Sequence, residues 1–207
     1  LNFVDAVKLV EQRATFMQQA VPEGQGAMAA ILGLEVGVLQ GICDTAADGD
    51  IVSAVNFNAP GQVVIAGNTN AVNRAIELAK EEGAKRALPL PVSVPSHCDL
   101  MLPAAEKLSI EMSTISFSVP TTQVIHNTDV TEHYAVEGIK QALAKQLYTP
   151  VRWVETVEKL TSSGVTSIIE CGPGKVLSGL NKRIDKSLEI NSLGNERSLN
   201  KTLEALS

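Results

Sequence analysis

GAMAAILGLEVGVLQGICDTAADGDIVSAVNFNAPGQVVIAGNTNAVNRAIELAKEEGAKRALPLPVS, residues 26–93, carries the alternation that decides the fold. GAMAAILGL (26–34) reads as a strand, VGVLQGICDTAA (36–47) as a helix and DIVSAVNFN (50–58) as a second strand. Pro60 and Gly61, strong turn formers, send the chain into VVIAG (63–67), a third strand. NAVNRAIELAKEE (70–82) is a helix closed by Gly83, and KRALPLPVS (85–93) is a fourth strand. The order βαββαβ is that of a ferredoxin-like split unit and predicts a compact inserted subdomain.

Upstream, Phe3, Val7, Val10, Ala14, Met17 and Val21 alternate steps of four and three, the helical period, with Asn2 and Asp5 placed as a capping pair. Pro22, Gly24 and Gly26 end that helix. Downstream, DLMLPAAEKLSIEM (99–112) predicts a helix and TQVIHNTDV (122–130) a strand. Two helices follow at 136–148 and 150–163. SIIECGPG (167–174) predicts a buried strand entering a tight turn, and KVLSGLNKRI (175–184) the helix that leaves it. Helices alternating with strands indicate an α/β core with mostly parallel strands.

The 207 residues, 44% of them hydrophobic, suffice for a substantial core. No apolar stretch approaches the ~18 residues of a membrane span, and no export signal is recognisable, so a membrane partner is not expected and a reducing cytoplasm is. Cys43, Cys98 and Cys171 are odd in number and widely spaced, which argues against a disulfide framework and a structural zinc site. A net charge of −6 without a basic tract leaves no electrostatic footprint for nucleic acid.

Arg13 is the most informative residue. At about 100° per residue it falls between Ala20 and Ala6 inside the apolar half of the first helix, while Lys8, Glu11, Gln12 and Thr15 take the other half. A guanidinium on such a face needs an anion or a ring of acceptors, and its planar fork suits a carboxylate. An internal salt bridge, or a stem that snorkels to water, answers the same requirement.

His97, in VSVPSHCDL, stands where a strand ends and a helix starts, bracketed by Pro91 and Pro95. From there an imidazole can reach a cleft as a general base, or simply cap the helix. Cys98 is a poor nucleophile candidate, because neighbouring residues point in different directions. His126 and His133 show no metal-ligand spacing, so no metal is expected. ECGPGK lacks both the phosphate-loop and the dinucleotide pattern and reads as a tight structural turn. No GxSxG occurs, so no serine elbow can be assigned.

DAVKLVEQRATFMQ (5–18), VPEGQGAMAAILGL (21–34), VNFNAPGQVVIAG (55–67), GAKRALPLPVSVPSH (83–97), KQLYTPVRW (145–153) and ECGPGKVLSGLNKR (170–183), in this order, closely resemble the bacterial malonyl-CoA:acyl-carrier-protein transacylases of type II fatty-acid synthesis. The resemblance implies an α/β-hydrolase-like large subdomain, residues 1–22 and 94–207, with the ferredoxin-like small subdomain inserted at 23–93. It implies ping-pong transfer of a malonyl group from coenzyme A, through a serine ester, to the phosphopantetheine thiol of acyl-carrier protein. By resemblance His97 takes the serine proton and then activates the incoming thiol, and Arg13 grips the malonyl carboxylate. The Gln146 backbone carbonyl orients His97, so its position counts for more than its side chain. Met17 is a pocket wall, Ser96 the small neighbour of the histidine, and Asn56 and Asn58 face the cleft.

Malonyl-CoA is then the substrate, with no tightly bound cofactor. The acidic carrier protein must dock on a local positive patch, for which Lys85 with Arg86 and Lys182 with Arg183 are the candidates. The resemblance also places a GHSLG elbow before Leu1 and a GQGSQ segment further upstream, so this polypeptide alone is expected to lack the nucleophile. An acyltransferase domain of a polyketide synthase shares the histidine and arginine roles, and a non-catalytic carrier-protein-binding module would keep the fold without the serine. A generic serine hydrolase fits less well, since Arg13 makes sense for a dicarboxylate and little for a neutral ester.

Overall fold

The computed structural model describes residues 1–92 and 94–205. Its opening helix, α1 (Phe3–Ala20), starts where Asn2 accepts a 2.9 Å hydrogen bond from the Asp5 amide and stops short of Pro22. The next segment builds β1 (Gly26–Leu32), α2 (Val36–Ala47), β2 (Val52–Ala59), β3 (Gln62–Asn68), α3 (Thr69–Glu81) and β4 (Arg86–Pro89). The six expected elements are all present. Ser93, the end of the expected fourth strand, lies outside the described residues.

The four strands form one sheet in the order β2-β3-β1-β4, each neighbouring pair antiparallel. Pro60 and Gly61 make the two-residue link between β2 and β3, with Gly61 at φ 66°, a conformation that glycine adopts without steric cost. Period-two alternation gives the sheet two apolar faces. Ala29, Ile31, Val63 and Ile65 face α2 and α3, packing on Leu39, Ile42, Val72 and Ile76. Met28, Val64 and Ala66 point the other way and enclose Cys98. The small sheet therefore seats the residue next to His97.

After a single 3-10 turn at Asp99–Met101 come α4 (Leu102–Ser113), β5 (Ile125–His126), β6 (Thr131–Glu132), α5 (Val136–Lys145) and α6 (Trp153–Ser162). The chain ends with β7 (Ser167–Glu170), α7 (Val176–Ile184), β8 (Glu189–Ser192) and α8 (Glu196–Ala205). A second apolar cluster joins Leu9 and Met17 of α1, Leu108 and Met112 of α4, and Ala144 and Leu147 at the end of α5.

Two expectations need correction. TQVIHNTDV is not one strand: the Val130 amide returns to the His126 carbonyl at 2.9 Å and Val130 adopts φ 57°, folding the segment into the β5–β6 hairpin. The mostly parallel sheet is represented, among the described residues, by one parallel pair, β7–β8. Within residues 1–207 one edge of the apolar half of α1 is covered. Leu9 and Met17 are 7% and 5% exposed, whereas Phe3 and Val10 on the same half are 82% and 65% exposed. Among the described residues no helix is long and apolar enough to cross a membrane.

Candidate active site

His97 is held from both sides. Pro95, two residues earlier, is buried against the start of β1, where a Cβ on Gly26 would stand 2.5 Å from the proline Cδ and Cγ; only glycine leaves that space. Cys98, on the other side, is sealed beneath the sheet. Between them His97 takes φ 68°, an uncommon conformation for a residue with a side chain, kept because its surroundings over-determine it. Its amide donates to the Leu147 carbonyl at 2.9 Å, and its Nδ1 lies 2.8 Å from the Gln146 carbonyl oxygen.

A carbonyl can only accept, so Nδ1 carries the proton and Nε2 presents a lone pair. That is the tautomer a general base needs. The Gln146 carbonyl is free for this because the residue caps the C-terminus of α5, where the last carbonyls have no intrahelical donor. The Gln146 side chain, expected to matter less than its position, has a partner of its own: Nε2 donates to Asn127 Oδ1 at 3.3 Å.

Arg13 projects from the covered edge of α1, half-buried, and makes no ion pair or hydrogen bond among the described residues. Burial lowers its pKa, yet a guanidinium remains charged in practice, so it is an unspent cation. Beside it opens a cavity of about 400 Å³ lined by Leu9, Val10, Arg13, Leu108, Met112 and Gln146, a size suited to a small ligand. Met17 is buried in the adjoining apolar cluster and is not among the residues that line this cavity.

The guanidinium and the imidazole sense each other. Burial lowers the His97 pKa first and the Arg13 charge adds to that, against the backbone contacts of Gln146 and Thr149, which raise it. Because the depressed value is below the ordinary 6.5, the neutral, base-competent imidazole persists to lower pH. An NMR titration of the His97 ring is expected to give a midpoint below 6.5, and Arg13→Met is expected to move it upward. An identical midpoint in both proteins would mean that the two residues do not share a site.

Asn56 is fixed through the backbone on either side of it. Val151 donates to the Val55 carbonyl at 2.8 Å and accepts from the Phe57 amide at 2.9 Å, bracketing Asn56 and tying β2 to the segment that leaves Gln146. Asn58 and Ser96 are half-buried.

The basic candidates gather elsewhere. Lys85 lies over Gly33, whose amide donates to the Gly61 carbonyl at 2.8 Å, while Arg183 donates to the Gln62 side chain and to the Pro60 carbonyl. One member of each pair, Lys85 and Arg183, thus stands near the β2–β3 turn, although Arg183 is partly spent on it. Lys182 and Arg86 are exposed.

Other reactive groups are accounted for. Burial pushes the Cys98 thiol up to about 11, and it donates to the Pro95 carbonyl, so it is no nucleophile. Glu170 accepts from the Leu177 and Ser178 amides at 3.1 and 2.8 Å, so the start of α7 is satisfied internally and the GPG turn is structural. His133 pairs with Asp129 at 2.8 Å, its ring 5.2 Å from that of His126. Among the described residues no group of His, Cys, Asp or Glu is arranged to hold a metal ion. Sequence reasoning did not point to Asn127, whose Oδ1 accepts from Gln146 at the C-cap of α5.

The acyl transferase domain family matches residues 1–193. The malonyl CoA-acyl carrier protein transacylase of Escherichia coli K12 is 53% identical over 204 residues, 99% of this chain and 66% of the relative. That of Haemophilus influenzae is 55% identical over 206 residues, 100% of this chain and again 66% of the relative. The chain therefore spans 66% of the length of these curated relatives. The transacylase structure from Coxiella burnetii superposes with a TM-score of 0.97 at 48% identity, over 100% of this chain and 65% of that one. A malonyl-transacylase solved in complex with a type II PKS acyl-carrier protein gives a TM-score of 0.98 at 51% identity, over 99% of this chain and 66% of that one.

Proposed function

The chain belongs to the acyl transferase domain family, and on that premise we propose that it moves a malonyl group from coenzyme A to the phosphopantetheine thiol of acyl-carrier protein in fatty-acid synthesis. The observation that carries this reading is the half-buried guanidinium of Arg13, without a partner among the described residues, beside an imidazole whose Nδ1 faces a carbonyl, the base-competent tautomer. A cation in a largely apolar cavity favours an acyl group with a free carboxylate.

In the first half-reaction His97 Nε2 takes the proton of a serine hydroxyl as the oxygen attacks the thioester carbonyl, and returns it to the departing coenzyme A thiolate. In the second, Nε2 takes the proton of the carrier thiol, which attacks the serine ester carbonyl, and returns it to the serine oxygen as the ester bond breaks. The serine is that of the family's elbow and lies outside residues 1–207. Full-length protein given radiolabelled malonyl-CoA is expected to trap label covalently and release it to holo acyl-carrier protein. Label that is not trapped, or is trapped equally from acetyl-CoA, would sink the reading.

We further read the unit at 23–93 as a ferredoxin-like subdomain, for which the strand order β2-β3-β1-β4 speaks. Residues 1–22 and 94–207 are read as the hydrolase-like subdomain of an enzyme that works in the cytoplasm. Carrier docking is assigned to Lys85, Arg86, Lys182 and Arg183, supported by one member of each pair, Lys85 and Arg183, standing near one turn. Reversing Lys182 and Arg183 to Glu is expected to raise KM for carrier protein, most steeply at low salt, with KM for malonyl-CoA unchanged. A parallel rise in both, or no dependence on ionic strength, would place docking elsewhere.

A further inference from the structure

We propose that Asn127 is a positioning residue for His97, acting through the side chain of Gln146. Gln146 contributes two groups to two tasks: its carbonyl oxygen takes His97 Nδ1 at 2.8 Å, and its side-chain Nε2 donates to Asn127 Oδ1 at 3.3 Å. The residue stands at the end of α5, where the helix ladder no longer fixes the peptide plane. Anchoring the side chain restrains the backbone that aims the carbonyl at the imidazole.

Asn127 is in turn a fixed point. Its carbonyl accepts from the Arg152 amide at 2.9 Å, one residue beyond the Val151 bridge to β2. It also follows the buried His126 in a hairpin that is closed by Val130 and His126 and held to α6 by Lys159, which donates to the Val130 carbonyl at 3.0 Å and pairs with Glu132 at 2.9 Å. Asn127 therefore stands where the hairpin, the end of α5 and the bridge to the small sheet meet. The ties run from the hairpin to Asn127, to Gln146 and to Nδ1 of His97, and they set the tautomer as well as the direction of the ring.

The kinetic part of the test rests on the acyl-transfer reading, whereas the spectroscopic part does not. In full-length protein, long-range proton–nitrogen spectra of His97 are expected to show the Nδ1-protonated tautomer. Asn127→Leu and Gln146→Leu are each expected to convert it to a mixture and to lower kcat for malonyl transfer roughly tenfold, the scale of one hydrogen bond, with KM for malonyl-CoA unchanged. Asn127→Asp keeps an acceptor for Gln146 Nε2 and is expected to restore both readouts. The double Leu variant should fall no further than either single, because the two side chains act as one unit.

An unaltered tautomer in either Leu variant, or additive losses in the double variant, overturns the proposal. If Asn127→Leu does not fold, Gln146→Leu removes the same bond from the donor side and decides the matter. Wild-type protein that transfers no malonyl group would defeat the acyl-transfer reading alone, and the tautomer comparison would still judge Asn127.

Discussion

Arg13→Ala in full-length protein is expected to lower kcat/KM for malonyl transfer roughly 30-fold to several-thousandfold, the range for truncating one partner of a buried charge pair, and to leave acetyl transfer nearly unchanged. The asymmetry follows from what Arg13 does without substrate, which is to bond to nothing among the described residues. An arginine engaged in an internal salt bridge would take the fold down with it, and both acyl groups would lose equally. An unspent arginine can be removed without orphaning a protein carboxylate; only the malonyl carboxylate is then buried unpaired. Arg13→Lys should recover part of the loss, since the point charge survives but the two-pronged geometry does not. Equal losses for malonyl and acetyl groups would return Arg13 to a structural role.

The expectations that held were those governed by local rules. The steps of three and four in α1, the Pro60–Gly61 turn and the period-two strands of the small sheet are decided within a few residues, so each was readable before any tertiary contact. Where the reading missed, the decisive partner is distant. The hairpin at 125–132 depends on a return hydrogen bond inside a segment whose apolar run imitates a strand. The short C-terminal strand β8 and helix α8 went unread as well.

The site divides along the same line. Arg13 was conspicuous because a charge on an apolar stripe breaks a local pattern. Asn127 was invisible, because an asparagine in IHNTD breaks none and its partner Gln146 lies 19 residues away. His97 was legible as a histidine at a junction, but not its left-handed φ or the carbonyl that sets its tautomer.

His97→Ala is expected to reduce single-turnover acylation by roughly a hundredfold or more, the usual contribution of a positioned general base. It should also cost some stability, because alanine leaves the Gln146 carbonyl without its partner while keeping the left-handed strain of about 1–2 kcal/mol that His97 already bears at φ 68°. Loss of activity alone would therefore not separate catalysis from folding. The backbone supplies the control. Glycine is at ease in this conformation and asparagine tolerates it, so His97→Gly and His97→Asn should recover much of the thermal midpoint lost in His97→Ala. Neither offers a base, so neither should recover acylation. If activity tracked the midpoint across the three variants, His97 would be a structural residue whose removal merely loosens the site. If the midpoint returns while acylation stays low, the strain at residue 97 is what the fold tolerates in order to aim Nε2 into the cleft.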